Sequence, residues 1–181
     1  MSGERDSGAG VERLRLRSLR KDDEAAFGAG HEAMVADDFA FGLFYEPGRP
    51  WADYLADMQA CARGDDDLPP DRVWSSFLVA DVGGTIVGRV SIRHVLNGFL
   101  AREGGHIGYC VLPEHRRRGY ATEILRQALV VARATGTERV LITCDDGNLP
   151  SATVIESNGG VFESTIVSER DGSVMRRYWI D

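Results

Sequence analysis

Ala121, Ile124, Leu125, Ala128, Leu129 and Ala132 fall at i, i+3, i+4, i+7, i+8 and i+11. That spacing puts them on one apolar face of an α-helix, which Gly136 closes. Upstream, Gly105-His106-Ile107-Gly108-Tyr109-Cys110-Val111 is rich in β-formers and predicts a strand running to Leu112. Pro113-Glu114-His115-Arg116-Arg117-Arg118-Gly119-Tyr120 joins the two as a short basic loop containing a glycine.

The rest of the chain reads in the same way. Arg13–Arg17 alternates as a first strand with Leu14 and Leu16 inward, and Asp22 can cap a helix to about Val35. Pro50 starts a second helix through Ala62, with Trp51, Tyr54, Leu55 and Met58 on one face. Gly64–Asp71, with its aspartates and prolines, is a loop. Val73–Asp81 and Thr85–Leu96 form a hairpin around Gly83-Gly84; Ile86, Val90 and Ile92 alternate with Arg89, Ser91 and Arg93. Val140–Cys144 is a short buried strand. A helix spans about Pro150–Ser157, Asn158-Gly159-Gly160 ends it, and strands over Val161–Ser168 and Val174–Ile180 finish the chain. This order predicts an α/β fold, a mixed sheet with helices on both faces.

Composition narrows the class. At 181 residues, 43% hydrophobic and 27% charged, the chain is expected to be one soluble domain over residues 11–181. Residues 1–10 are polar and glycine-rich and read as a disordered tail without the apolar core of a secretory signal. No run of about 18 apolar residues predicts a membrane span. The three cysteines lack CxxC spacing, and Cys110 and Cys144 read as small buried hydrophobes, so a reducing cytoplasm is the expected location. His31, His94, His106 and His115 have no metal-ligand spacing, so no metal is expected. The net charge of -7 argues against nucleic acid as a partner. It favours a cationic acceptor such as an amine, or serves solubility alone.

A strand that feeds a loop opening a helix makes an anion site. The first N–H groups of the helix lack intrahelical acceptors, and its dipole favours negative charge there. Gly119 lets the backbone approach a ligand closely, while Arg116, Arg117 and Arg118 attract phosphate. The loop is therefore a candidate site for a phosphorylated ligand; the alternative is a solvated basic turn.

Arg116-Arg117-Arg118-Gly119-Tyr120-Ala121 resembles the acetyl-CoA pyrophosphate loop (Arg/Gln-x-x-Gly-x-Gly/Ala) of the GNAT family of N-acetyltransferases. Val111-Leu112-Pro113 resembles the end of that family's central strand. Asn148-Leu149-Pro150-Ser151, with Val154-Ile155-Glu156 and Gly159, resembles its second cofactor segment. The element order from about Val11 to Ile180 fits as well. The resemblance implies a mixed, mostly antiparallel sheet of about seven strands with helices on both faces, and acetyl-CoA as cofactor. It also implies that the backbone of Cys110, Val111 and Leu112 pairs with the pantetheine arm, one N–H polarising the acetyl carbonyl. Asn148 and Ser151 would touch the cofactor, cap the helix, or do both.

Acetyl transfer to an amine needs a neutral amine, a stabilised oxyanion and a protonated leaving thiolate. Several family members carry a glutamate on the central strand before the loop. His106 stands nearest to it and titrates in a suitable range; Glu103 is a weaker candidate, and a base acting through water would leave no trace. Many members have a tyrosine where this chain has Ile155, so the acid would be Tyr109, Tyr120 or water. In a regular strand Tyr109 and Val111 share one face, opposite to His106 and Cys110, so at most one of His106 and Tyr109 meets the reaction centre. Cys144 is a nucleophile or, more simply, packing. Asp37, Asp38, Phe39, Phe41, Phe44, Tyr45 and Trp51 form the acceptor site or the core beneath it. Arg89 and Arg93 instead offer an anchor for an anionic group on the acceptor.

The function expected is acetyl-CoA-dependent N-acetyl transfer to a primary amine of a small molecule, by direct attack in a ternary complex, in a monomer or homodimer. The alternatives are transfer to a protein lysine or N-terminus, and an acyl-CoA-binding module without catalysis.

Overall fold

A computed structural model describes residues 13–181; the tail read over residues 1–10 lies outside them. Among the described residues seven strands form: β1 (Arg15–Arg17), β2 (Ser75–Val82), β3 (Thr85–Arg93), β4 (Ile107–Val111), β5 (Val140–Asp145), β6 (Val161–Val167) and β7 (Val174–Ile180). Four helices accompany them: α1 (Glu24–Ala33), α2 (Trp51–Arg63), α3 (Tyr120–Ala134) and α4 (Leu149–Ser157). The strands divide into two sheets, ordered β1-β2-β3-β4 and β5-β7-β6, and every ladder is antiparallel.

Helices cover both faces, as the element order predicts. The apolar stripe of α3 (Ile124, Leu125, Ala128, Leu129 and Ala132) packs on Val90, Ile92, Ile107 and Val111. On the other face, Phe27 of α1 and Trp51, Tyr54, Leu55 and Met58 of α2 pack on Phe77, Val79 and Leu112. Because both faces are covered, β3 is buried along almost its whole length, and its residues do not alternate between core and water.

Three local expectations change. Asp22 does not cap α1. Lys21–Asp23 forms a 3-10 turn, and α1 starts at Glu24. The carboxylate of Asp23 accepts from Arg20 N at 2.7 Å and from the Arg17 guanidinium at 2.7 and 2.9 Å. Next, Ile86 packs with the α1–α2 side and Val90 with the α3 side, because a register shift at Ala80/Asp81 inserts a residue between them. Finally, Arg89 is buried rather than outward: Nε donates to Phe41 O at 2.9 Å, Nη1 to Gly108 O at 3.1 Å and Nη2 to Ala40 O at 2.8 Å. It pins the segment after α1 onto the sheet.

The two sheets meet at β4 and β5. They touch at one end, where His106 N donates to Leu141 O at 2.7 Å and Leu141 N donates to His106 Nδ1 at 2.8 Å. No ladder joins them among the described residues. The imidazole takes the Leu141 N–H at this end, and the strands open from there toward Val111 and Asp145, which line a common cavity.

Candidate active site

The hydrogen bonding of β4 decides which of its groups face that opening. Leu112 N donates to Val87 O at 2.9 Å, and Arg93 N donates to His106 O at 2.7 Å. With the regular register from Ile107↔Ile92 to Val111↔Gly88, the even-numbered residues of β4 are the ones bonded to β3. The backbone N–H groups of Cys110 and Leu112 are therefore turned to β3. Of the three residues expected to pair with the pantetheine arm, Val111 has its N–H turned toward β5. Its carbonyl accepts from Arg116 Nε at 3.1 Å, which braces the strand end against the basic loop.

A cavity of about 600 Å³ occupies the opening. Ten of the thirteen residues selected for catalysis or cofactor binding line it: Tyr109, Cys110 and Val111 from β4, Arg116, Arg117, Gly119, Tyr120 and Ala121 from the loop and α3, and Asn148 and Ser151 from the start of α4. His106, Leu112 and Arg118 do not. Leu112 is buried against α1 and α2. Arg118 donates to Glu114 O at 3.2 Å. His106 stays at the closed end of the β4–β5 opening, where burial lowers its pKa.

The loop has the geometry of an anion cradle. Gly119, at φ 80°, is the N-cap of α3, and no side chain caps the helix. A Cβ at Gly119 would meet no atom within 4 Å, so open space lies over the backbone there. Glu123 N donates to Gly119 O, while Ala121 N and Thr122 N have no protein acceptor among the described residues. Arg117 is left-handed at φ 60° and lines the cavity. Arg116 is engaged by the protein: it pairs with Asp37 and contacts Met34 Sδ, tying the loop to the turn after α1.

Across the opening, Asn148 caps α4 by accepting from Ser151 N at 3.1 Å. Both residues line the cavity as well. The Tyr109 hydroxyl lies 3.0 Å from Ser151 Oγ. Burial pushes the Tyr109 pKa up to about 12. Ile155 is fully buried in the core one turn beyond Ser151, so the phenol from β4 approaches the helix face where a tyrosine at 155 would project. No bulge interrupts β4: Tyr109 and Val111 pack with the α3 side and Cys110 and Leu112 with the α1–α2 side.

The other candidates are placed as follows. Cys144 is buried and its thiol is pushed up by burial, which suits packing rather than attack. The Glu103 carboxylate accepts from Glu169 N and Ser168 Oγ, each at 2.9 Å, and so clamps the β6–β7 connection. Phe41 and Trp51 belong to the core, whereas Asp37 and Phe39 line the cavity. Sequence reasoning missed Met34, Thr122 and Asp145 in the lining, while His115 lies in the basic loop and Pro150 and Val154 in the second cofactor segment that the sequence singled out. The last residue of β5, Asp145, was accessible from the strand end; Met34 carries no such signal. Among the described residues no helix is long and apolar enough to cross a membrane. No group of three or more potential metal ligands occurs among them either.

The family model described as an acetyltransferase (GNAT) domain matches residues 13–161. Among solved structures, Mycobacterium smegmatis RimJ in complex with CoA-disulfide is 22% identical with a TM-score of 0.69, covering 94% of this chain and 82% of that one. Spermidine N-acetyltransferase from Vibrio cholerae, in complex with CoA and spermine, is 18% identical with a TM-score of 0.64, covering 92% and 94%. YncA from Salmonella typhimurium, with its cofactor acetyl-CoA, is 16% identical with a TM-score of 0.64, covering 92% of each chain. No curated protein matches the sequence.

Proposed function

The chain belongs to the GNAT acetyltransferases, an N-acetyltransferase family using acetyl-CoA, and from that premise we propose that it acetylates a primary amine of a small molecule. The observation that carries this reading is the open strand edge of β4. Val111 offers an N–H to the cavity, whose other end is the uncapped start of α3. The named ligand of the Vibrio cholerae neighbour, spermine, is a small amine and supports the acceptor class.

The thioester supplies an already activated acetyl group, so the protein contributes mainly orientation and electrostatics. The N–H groups of Ala121 and Thr122, with Arg117, hold the pyrophosphate in the field of the α3 dipole. Asn148 and Ser151 bound the cofactor from the α4 side, and Cys110 forms the floor next to Val111. The Val111 N–H donates to the carbonyl oxygen as it gains charge during direct attack by the amine.

Tyr109 donates a hydrogen bond to the departing thiolate. An ordinary thiol titrates near 8.5, well below this phenol, so the proton stays chiefly on Tyr109 while the bond stabilises the charge. The amine proton leaves through water, because His106 lies outside the cavity lining and its Nδ1 is held by Leu141 N–H. Release of free thiol from acetyl-CoA in the presence of a primary-amine panel tests the reading. Thiol release stimulated by no amine, from folded protein with acetyl-CoA bound, would overturn it.

A further inference from the structure

Two guanidinium groups converge on Gly108 of β4 without a carboxylate between them. Arg89 Nη1 donates to the Gly108 carbonyl at 3.1 Å. A Cβ on Gly108 would stand 3.2 Å from Arg93 Nη1 and 3.5 Å from Nη2, so the glycine is what lets the second guanidinium lie there. Arg89 is satisfied by three carbonyl oxygens. Arg93 is not: its one recorded acceptor is Gly104 O at 3.2 Å. No carboxylate comes within salt-bridge distance of either arginine among the described residues, although Arg17, Arg49, Arg72, Arg116, Arg176 and Arg177 all have one. Glu103, in the turn beside Gly104, is committed to Ser168, Glu169 and Arg102.

Largely enclosed cations that face each other unneutralised are costly. Burial, followed by the Arg89 charge, lowers the Arg93 pKa to about 10, in line with a missing counter-charge. The face carrying the pair is accessible. His106, Gly108 and Cys110 are each partly exposed along it, and Cys110 lines the acetyl-transfer cavity. Gly108 lies three residues before Val111, about 10 Å of extended strand.

We infer that Arg93, backed by Arg89, anchors a carboxylate on the acceptor, so that the substrate is a carboxylate-bearing primary amine. The inference rests on the acetyl-transfer reading of the cavity and adds the acceptor's second functional group. The strand distance favours an amine several bonds from the carboxylate, as in an ω-amino acid. Nη2 and Nε of Arg93 are the donors left for a two-point contact, a geometry a guanidinium suits and an ammonium does not.

The test measures binding by calorimetry to the protein–CoA complex, where no turnover occurs. The probes are 4-aminobutyrate against 4-aminobutanamide, and lysine against lysinamide. Wild type should bind each carboxylate at least tenfold more tightly than its carboxamide. Arg93→Gln, which can still donate to Gly104 O, should erase that preference, and Arg93→Lys should keep part of it. Equal affinities in wild type, or an undiminished preference in either folded variant, would overturn the inference. Transfer from acetyl-CoA is scored separately. Carboxylates that bind with this preference but are never acetylated would overturn the function reading alone. Acetylation of amines with no preference for a carboxylate would overturn this inference alone.

Discussion

Tyr109 of β4 and Ser151 of α4 are joined hydroxyl to hydroxyl at 3.0 Å across the opening between the two sheets. The pair places a neutral donor beside the cavity although the core position one helical turn further on is Ile155. With the Tyr109 pKa raised to about 12, the phenol remains protonated throughout the working range. Tyr109→Phe should lower kcat by roughly 10- to 100-fold, at the weak end of acid catalysis, with little change in acetyl-CoA affinity. The wild-type rate should show no ionisation from this group between about pH 6 and 9. Full activity in folded Tyr109→Phe would leave the thiolate to water.

Gly119 supplies the second prediction. Its φ of 80° strains any side chain, by about 1–2 kcal/mol, but the space over it is open, so Gly119→Ala and Gly119→Val should fold. Acetyl-CoA affinity should fall by more than tenfold, about 1.4 kcal/mol, in both. In wild type, acetyl-CoA at about 100 times its Kd should add about 2.7 kcal/mol and raise Tm by a few degrees. Differential scanning fluorimetry reads both effects. An unchanged shift in Gly119→Val would remove the loop from the phosphate site.

His106 gives a pH prediction. Burial lowers the pKa values of His106 and His94 below the ordinary 6.5. The folded state therefore prefers the neutral rings. The stability they contribute is complete above pH 6.5 and is lost as the pH falls from there through the folded pKa values. His106→Asn keeps an acceptor for Leu141 N–H without a titrating ring. It should flatten the fall in Tm between about pH 7 and 5 and leave kcat within a few-fold of wild type. His106→Ala should cost about 1 kcal/mol for the unmade hydrogen bond. A loss of turnover beyond about 10²-fold in His106→Asn would restore it as the base.

The Arg17–Asp23 pair holds the start of α1 to the sheet. Burial works to raise the Asp23 pKa, but the bonds from Arg17 and Arg20 prevail and leave it lowered. Its contribution is therefore present above the ordinary carboxylate value of 3.8 and disappears as the pH drops through the folded value. Asp23→Asn should destabilise the fold by about 2 kcal/mol at neutral pH, since Arg17 loses its two bonds to a charged partner while keeping Asp81, 2.8 Å from its Nε, as counter-charge. Urea unfolding at pH 7 and again under acid conditions should show the gap between variant and wild type closing. A gap independent of pH would assign the effect to packing.

Local patterns made much of this architecture legible. The stripe from Ala121 to Ala132, the Asn148-Leu149-Pro150-Ser151 helix start and the Gly83-Gly84 turn each follow from short-range chemistry, and the structure has each. Positions decided by distant partners were less so. Arg89 looks like the outward residue of an alternating strand, but its guanidinium is bonded to carbonyls of residues 40 and 41. The separation of β4 from β5 has no local signature, because it depends on how two strands distant in sequence are placed against each other. The resemblance to the family's central strand drew attention to Cys110, Val111 and Leu112 together. Only the ladder with β3 tells which of them faces the opening.

An opening between two strands is also a pair of sheet edges in the interior of a fold. Most proteins blunt exposed edges with charge, proline or a bulge, because unpaired N–H and C=O groups recruit any extended chain. At Tyr109 and Val111 the edge of β4 is regular and apolar, and Arg116 covers the Val111 carbonyl but not its N–H. In the function proposed above, an amide-bearing cofactor lies there as a removable strand. On that reading the protein without acetyl-CoA should be the form more prone to self-association, through the same seam.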